Sequence, residues 1–291
     1  MIKLVKEKQG QMGMVEKQSY GDYILRVMLA LWALIIILPL IWVIYTSLKT
    51  NQEFFMSAWG WPKSLQWNNY LRAWQELGIG QSVINTLYLV GGAMLLNTFL
   101  LSTGCYVLAR FKFPGSNLIY WFIVGSYFVT GLNTMVTGYI LMRQLHFINS
   151  LTGLIAFYAA QPLVFNTLIL VASMKGQPKE LEEAAYIDGA TYWQTFFHIG
   201  LPLAAPTLLT INILNFMRFY NDFLHPLLFM RDENKFPLSV AIYSMSQAMA
   251  YQSDWVTLFA AFVIMMVPTI IIYSVFQKNM TNNLMVGSLK G

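Results

Sequence analysis

Of the 291 residues in this chain, 57% are hydrophobic and only 11% charged, and the mean hydropathy is +0.52. Soluble domains carry about 25% charged residues, so this composition excludes a water-soluble domain and places the chain in a bilayer. The formal charge of +5 is scattered among apolar runs, which excludes a nucleic-acid footprint, and the lone Cys105 excludes an intrachain disulfide or a cysteine-based metal cluster.

Lys3, Lys6, Lys8 and Lys17 precede the first apolar run, Ile24–Leu48. That run is too long for a signal-peptide core and no small-residue cleavage site follows it, so it reads as an uncleaved span after a cytoplasmic segment, residues 1–23. A crossing helix needs about 20 mostly apolar residues. Five further segments meet that length: Val83–Ala109, Leu118–Met142, Leu151–Met174, Leu203–Leu224 and Val256–Phe276. The expected architecture is an all-α membrane protein of six transmembrane helices over residues 24–276, with a short polar tail, 277–291. Lys and Arg favour the flanks that are internal when both termini are cytoplasmic, among them Arg110, Lys112, Lys175 and Lys179. The two larger outer loops, 49–82 and 225–255, hold Trp59, Trp61, Trp67, Trp74 and Trp255, rings suited to an interface or a packed external cap.

Within the spans, Gly91, Gly92 and Ala93 form a close-packing patch in the second. In the third, Thr130, Asn133, Thr134 and Thr137 share a face, as helix–helix glue or as part of a solute path.

The internal loop 175–202 is unusual for so apolar a chain. Pro178 suits a first helical turn, and Glu180, Glu182 and Glu183 favour the positive end of a helix. Leu181, Ala185 and Asp188 recur at helical spacing, while Ala184 and Ala185 leave room for another surface to approach. Gly189 permits a turn into a second short helix, Ala190–Ile199, with Pro202 and Pro206 ending that helix and starting the fifth span. The expected product is a rigid helical elbow on the cytoplasmic face.

In the fifth span, Arg218 and Asp222 are four residues apart and can pair, with Asn215 on the same face and Tyr220 and Asn221 nearby. This stripe either lines a wet path suited to hydroxyl-rich solutes or lies near the outer end, with Arg218 snorkelling outward and Asn221–Asp222 capping the helix. His146, His198 and His225 are far apart and lack metal-ligand spacing, and no Gly-rich phosphate loop with its lysine is present.

The loop reads Glu183-Ala184-Ala185, three residues, Gly189, nine residues, Ile199, one residue, Leu201-Pro202. This spacing resembles the EAA loop of the membrane subunits of bacterial ATP-binding-cassette (ABC) importers. "ARFKFPG" (Ala109–Gly115), "ELEEAAYIDGA" (Glu180–Ala190), "YNDFLHPLL" (Tyr220–Leu228) and "VGSLKG" (Val286–Gly291) look like the carbohydrate branch, specifically the maltose-type smaller permease subunit. Tyr220 departs from the tryptophan that relatives place there.

The resemblance implies a type I ABC importer permease fold with a cytoplasmic coupling helix. It implies a transport subunit, not an enzyme, forming half the path of an ATP-driven, binding-protein-dependent importer of sugars or oligosaccharides in a bacterial plasma membrane. Implied partners are a second, non-identical permease subunit, two ATPase subunits and an extracellular solute-binding protein, besides membrane lipid; nucleic acid is not among them. No cofactor belongs to this chain, ATP and magnesium residing on the ATPases. Implied coupling residues are Glu182, Glu183, Ala184, Ala185, Asp188, Gly189, Leu201 and Pro202; a solute path would draw on Asn133, Thr137, Asn215, Arg218, Tyr220, Asn221 and Asp222. The same machinery for a polyamine or phosphate is the alternative, although a polyamine cavity calls for more intramembrane acid than Asp222. The tail, with Lys290 and Gly291, either contacts the ATPases or frays.

Overall fold

The computed structural model describes residues 20–75, 78–128 and 131–288, a helical protein with no strand among them. The amino-terminal segment up to residue 19 and the tail residues Lys290 and Gly291 lie outside the described residues. Helix α1 (Tyr20–Thr46) is apolar on every face, and Trp32, Ile35 and Leu38 are exposed. A helix of this kind is stable only where its surroundings are apolar too. Its end is gripped by α2 (Asn51–Met56) and the chain beyond it, with the Trp42 ring 5.6 Å from Trp59 and 5.2 Å from Phe259.

After α3 (Asn68–Gln75), the 32-residue α4 (Ile79–Arg110) forms the central post. At 1.5 Å per residue it is about 48 Å long, more than the ~30 Å hydrocarbon core requires. Its buried face, Leu89, Ala93, Asn97, Leu101 and Cys105, recurs every four residues and packs against α7 (Leu151–Ala160), α8 (Leu163–Lys175), α11 (Leu201–Asn221) and α13 (Leu238–Gln252). Two of the three small residues lie in this seam, whereas Gly91 is exposed with nothing near the position of a Cβ. Ala93 is buried, and a Cβ on Gly92 would stand 2.8 Å from the Ile155 side chain.

Four helical stretches among the described residues are long and apolar enough to cross a bilayer: Tyr23–Thr46, Ile79–Arg110, Tyr192–Asn221 and Trp255–Val275. A fifth is the pair α7 and α8, bent by 45° at Gln161–Pro162, where proline supplies no N–H to continue the ladder. The third expected span, Leu118–Met142, falls on α5 (Ser116–Ser126) and α6 (Gly131–Gln144), neither long enough alone, with residues 129–130 outside the described ones. Five of the six expected crossings are therefore met by length and composition. The final helix, α14 (Trp255–Ser288), continues past the expected boundary at residue 276.

One end of the helical body is capped by α2, α3, α12 (Leu224–Phe229) and α13. Asp254 accepts from Asn51 at 2.8 Å and from Arg72, and so ties the segment 49–82 to the segment 225–255. Lys49 is buried beneath this cap, its Nζ donating to the Ser57 and Ala58 carbonyls at 3.2 and 2.9 Å. The cap is thus packed, as its aromatic content suggested, while Trp59, Trp61 and Trp67 stay exposed on its surface.

Candidate functional site

The loop after α8 folds as an elbow. Helix α9 (Glu180–Ile187) begins after Pro178 with three glutamates in its first turn, where helix-end N–H groups favour negative charge. It ends at Gly189, whose φ of +85° is costly for a residue with a Cβ, and the Ala190 N–H reaches back to the Ala185 carbonyl at 2.9 Å. Thr191 then starts α10 (Tyr192–Thr195) with a reciprocal capping box to Gln194.

The expectation of a separate second helix ended by Pro202 is corrected. A π-turn, Phe196–Gly200, joins α10 to α11, making one stretch, Tyr192–Asn221. The wider turn, in which the Leu201 N–H bonds the Phe196 carbonyl, carries the chain past Pro202, and Pro202 sits in the first turn of α11, where its missing donor is tolerated. Gly200 sits against α4, since a Cβ there would lie 2.6 Å from the Tyr106 ring.

Glu182 is the only buried residue of α9. Its Oε1 accepts from Arg110 Nε at 2.7 Å and its Oε2 from the Tyr106 hydroxyl at 2.9 Å, and the Arg110 and Glu182 side chains are only 5% and 6% exposed. Rings reinforce this attachment: Phe111 and Tyr186 each stand 5.4 Å from Tyr192, and Tyr106 lies 5.0 Å from Phe196. Leu201 packs into the core cluster formed by Leu101, Tyr106, Leu170 and Phe196, and Pro202 is exposed. Glu183, Ala184, Asp188 and Gly189 are exposed, Ala185 is half-buried, and Ile187 is 86% exposed although it is apolar. The elbow therefore has a locked inner face and a bare outer one. The inward residue of α9 is Glu182; in the series that recurs at helical spacing, Leu181 and Asp188 are exposed and Ala185 is half-buried. Arg110 and Tyr106 were absent from the expected site. The available signal was the arginine closing α4 in "ARFKFPG", which reads by itself only as a topological charge.

The stripe in α11 is dispersed. Asn215 is buried, donating to Asn97 Oδ1 at 2.9 Å and accepting from Asn166 Nδ2 at 3.1 Å, while Asn97 donates to the Ala159 carbonyl at 2.7 Å. Asn215 thus ties α11 to α4 and α8 through side-chain hydrogen bonds. Tyr220 is buried as well, and its hydroxyl donates to the Met265 carbonyl at 2.8 Å. The expected Arg218–Asp222 pair does not form. Asp222 caps the carboxyl end of α11 in an extended conformation, ψ 128°, which breaks the four-residue register, and its Oδ2 lies 2.7 Å from His225 Nδ1. Arg218 is exposed and makes no ion pair among the described residues. Asn221 is exposed and borders an apolar cavity of about 510 Å³ with Leu40, Phe262 and Met266. Thr137 is exposed, and the Asn133 side chain lies outside the described residues. No group of three or more His, Cys, Asp or Glu is placed to hold a metal ion among the described residues.

Residues 101–285 match the family described as binding-protein-dependent transport system inner membrane component. The chain belongs to this family of ABC importer permeases. The permease is 32% identical over 263 residues to the diacetylchitobiose uptake system permease protein of Streptomyces coelicolor, covering 90% of this chain and 87% of that protein. It is 31% identical to the sulfoquinovosyl glycerol transport system permease protein of Agrobacterium fabrum, covering 87% and 88% of the two chains. To the trehalose/maltose transport system permease protein of Thermococcus litoralis it is 30% identical, covering 90% and 94%. The fold is similar to that in the crystal structure of a bacterial ABC transporter involved in the import of the acidic polysaccharide alginate, with a TM-score of 0.78 at 23% identity over 89% of this chain and 98% of that one. The permease is thus a multi-pass transport subunit that works with a solute-binding protein, the ATPase being a separate chain.

Proposed function

We propose that this permease forms half of the translocation path of an ATP-driven importer of sugars or oligosaccharides. A second, non-identical permease subunit completes the path. Two ATPase subunits holding ATP and magnesium grip the cytoplasmic elbows, and an external binding protein delivers the solute to the outer cap. The bacterial plasma membrane is the setting, with both termini cytoplasmic, in keeping with the Lys and Arg of the internal flanks.

The observation that carries this reading is the two-faced elbow. Small and apolar residues, Ala184 and Ile187 on α9 and Gly189 at its corner, lie bare, while the inner face of that helix is fixed by a buried ion pair. An exposed isoleucine beside small residues is what a cleft in a partner can cover at little steric cost, and a fixed inner face passes the partner's movement on without slack. Glu183, Ala184, Ala185, Asp188 and Gly189 are the docking residues in this reading, with Leu201 and Pro202 anchoring the elbow to α11. The solute path draws on Arg218, Asn221, Thr137 and Asn133. The names of the relatives, which refer to diacetylchitobiose, sulfoquinovosyl glycerol and trehalose or maltose, favour a sugar over a polyamine or phosphate.

The test is to reconstitute the permease with its neighbouring permease and ATPase and measure ATP hydrolysis against a panel of loaded binding proteins. Stimulation by a sugar-loaded binder is expected. Stimulation by a polyamine or phosphate binder alone would replace the solute class.

A further inference from the structure

We propose that Arg110, Glu182 and Tyr106 form the linkage that passes movement of the elbow into α4, making Arg110 and Glu182 positioning residues for transport. This rests on the functional reading above and adds a second arm to it.

The elbow has three routes into the membrane part. Two are covalent, back through residues 176–179 into α8 and on through α10 and the π-turn into α11. The third is lateral and centres on Glu182, the only buried residue of α9, with the half-buried Tyr186 beside Tyr106. Without that contact α9 is held by its chain ends and by ring edges, and the corner at Gly189 is open, with nothing near the position of a Cβ. With it, each carboxylate oxygen is fixed to a different residue of α4, one turn apart, so the helix can neither slide nor rotate without breaking a bond. Helix α4 is the element to which a push would have to be delivered, since it packs against α7, α8, α11 and α13 together.

The linkage is also poorly replaceable. Arg110 Nη2 and both polar atoms of the Gln177 amide are buried without a hydrogen-bond partner, and the Arg110 Nη1 contact to the Gln177 carbonyl is long, 3.5 Å. The guanidinium's one short hydrogen bond among the described residues is to the Glu182 carboxylate, and the neighbouring Gln177 amide, though it offers an acceptor, carries no charge to replace it. A buried charge pair of this kind specifies one arrangement of the elements that carry it, which is what a transmitting joint requires.

The experiment uses the assembled transporter in proteoliposomes, with Glu182→Gln, Arg110→Gln, Tyr106→Phe and the exchange Arg110→Glu/Glu182→Arg. Solute imported per ATP hydrolysed should fall about tenfold in the two charge-neutralised variants and about twofold in Tyr106→Phe, with the ATPase still bound. The exchange should restore at least half of the ratio. A second readout places spin labels at Glu180→Cys and Leu100→Cys, both exposed, while Cys105 is buried. The label separation should stay constant between nucleotide-free and nucleotide-trapped states in the parent and broaden in Glu182→Gln. An unchanged import ratio, loss of ATPase binding in both neutralised variants and the exchange, or equal label distributions in parent and Glu182→Gln would each overturn the linkage. The label readout needs no solute. Failure of every sugar binder with the label behaviour as stated would therefore sink the sugar reading and leave the linkage standing.

Discussion

Arg110 closes the long central helix and donates its Nε to the Glu182 carboxylate at 2.7 Å, joining two residues 72 positions apart at the point where the elbow meets the bilayer domain. Both side chains are almost wholly buried, so the pair is strong only while both members are present. Removing one member of a buried pair leaves the other charge desolvated and uncompensated.

Arg110→Ala should therefore destabilise the purified transporter by ~3–5 kcal/mol, the usual cost of orphaning a buried charge. Thermal unfolding in detergent checks it, and Arg110→Ala/Glu182→Ala should recover part of the loss because no charge is then stranded. Equal losses in the single and double variants would count against the pair.

On the outer face of the elbow, Ala185→Lys should abolish uptake while the subunit remains in the membrane at normal level. The lysine adds bulk and charge where a partner must approach, and the half-buried Ala185 belongs to neither core cluster among the described residues. Uptake assayed beside an immunoblot of the membrane fraction decides it, and normal uptake by the well-expressed variant would refute the docking assignment.

At the corner, the +85° φ of Gly189 predicts a graded series. Since open space surrounds the missing Cβ, the penalty is conformational, ~1–2 kcal/mol for Ala and less for Asn, which tolerates the left-handed region better. Uptake should therefore fall in the order Gly189, Asn, Ala, Val, and unfolding midpoints should follow the same order.

Gly200→Ala should cost ~1–3 kcal/mol by overpacking, because its new methyl would meet the Tyr106 ring at 2.6 Å. A ring displaced by the methyl draws its hydroxyl away from Glu182, so the variant should also lower the import ratio. A Gly200→Ala protein as stable as the parent would show that the ring has another place to go.

Within the bilayer, Asn215→Leu should weaken the protein by ~0.6–2 kcal/mol, the range found for hydrogen bonds between membrane helices, without altering solute preference. A double-mutant cycle with Asn97→Leu should show coupling, because Asn215 donates to Asn97. A changed ranking of solutes would return Asn215 to the path.

Much of the elbow was legible without coordinates because its determinants are local. Pro178, the first-turn glutamates, the glycine demanded by a left-handed corner and the ordered spacing to Leu201-Pro202 each act over a few residues, and α9 stands where they predict. The merger of α10 with α11 was not legible, because it depends on a π-turn that seats Gly200 against Tyr106, a residue 94 positions earlier.

The sequence by itself determined the solvent, the approximate crossings and the location of the elbow, since hydropathy length and turn chemistry do not depend on distant contacts. Tertiary structure alone decided which way the polar side chains point. In water the buried face of a helix is marked by its apolar residues; in lipid the outside is as apolar as the inside, so the periodic signal fades. Only packing reveals that Asn215 turns toward Asn97 and Asn166, that Asp222 has left the helical register for His225, and that Glu182 faces Arg110.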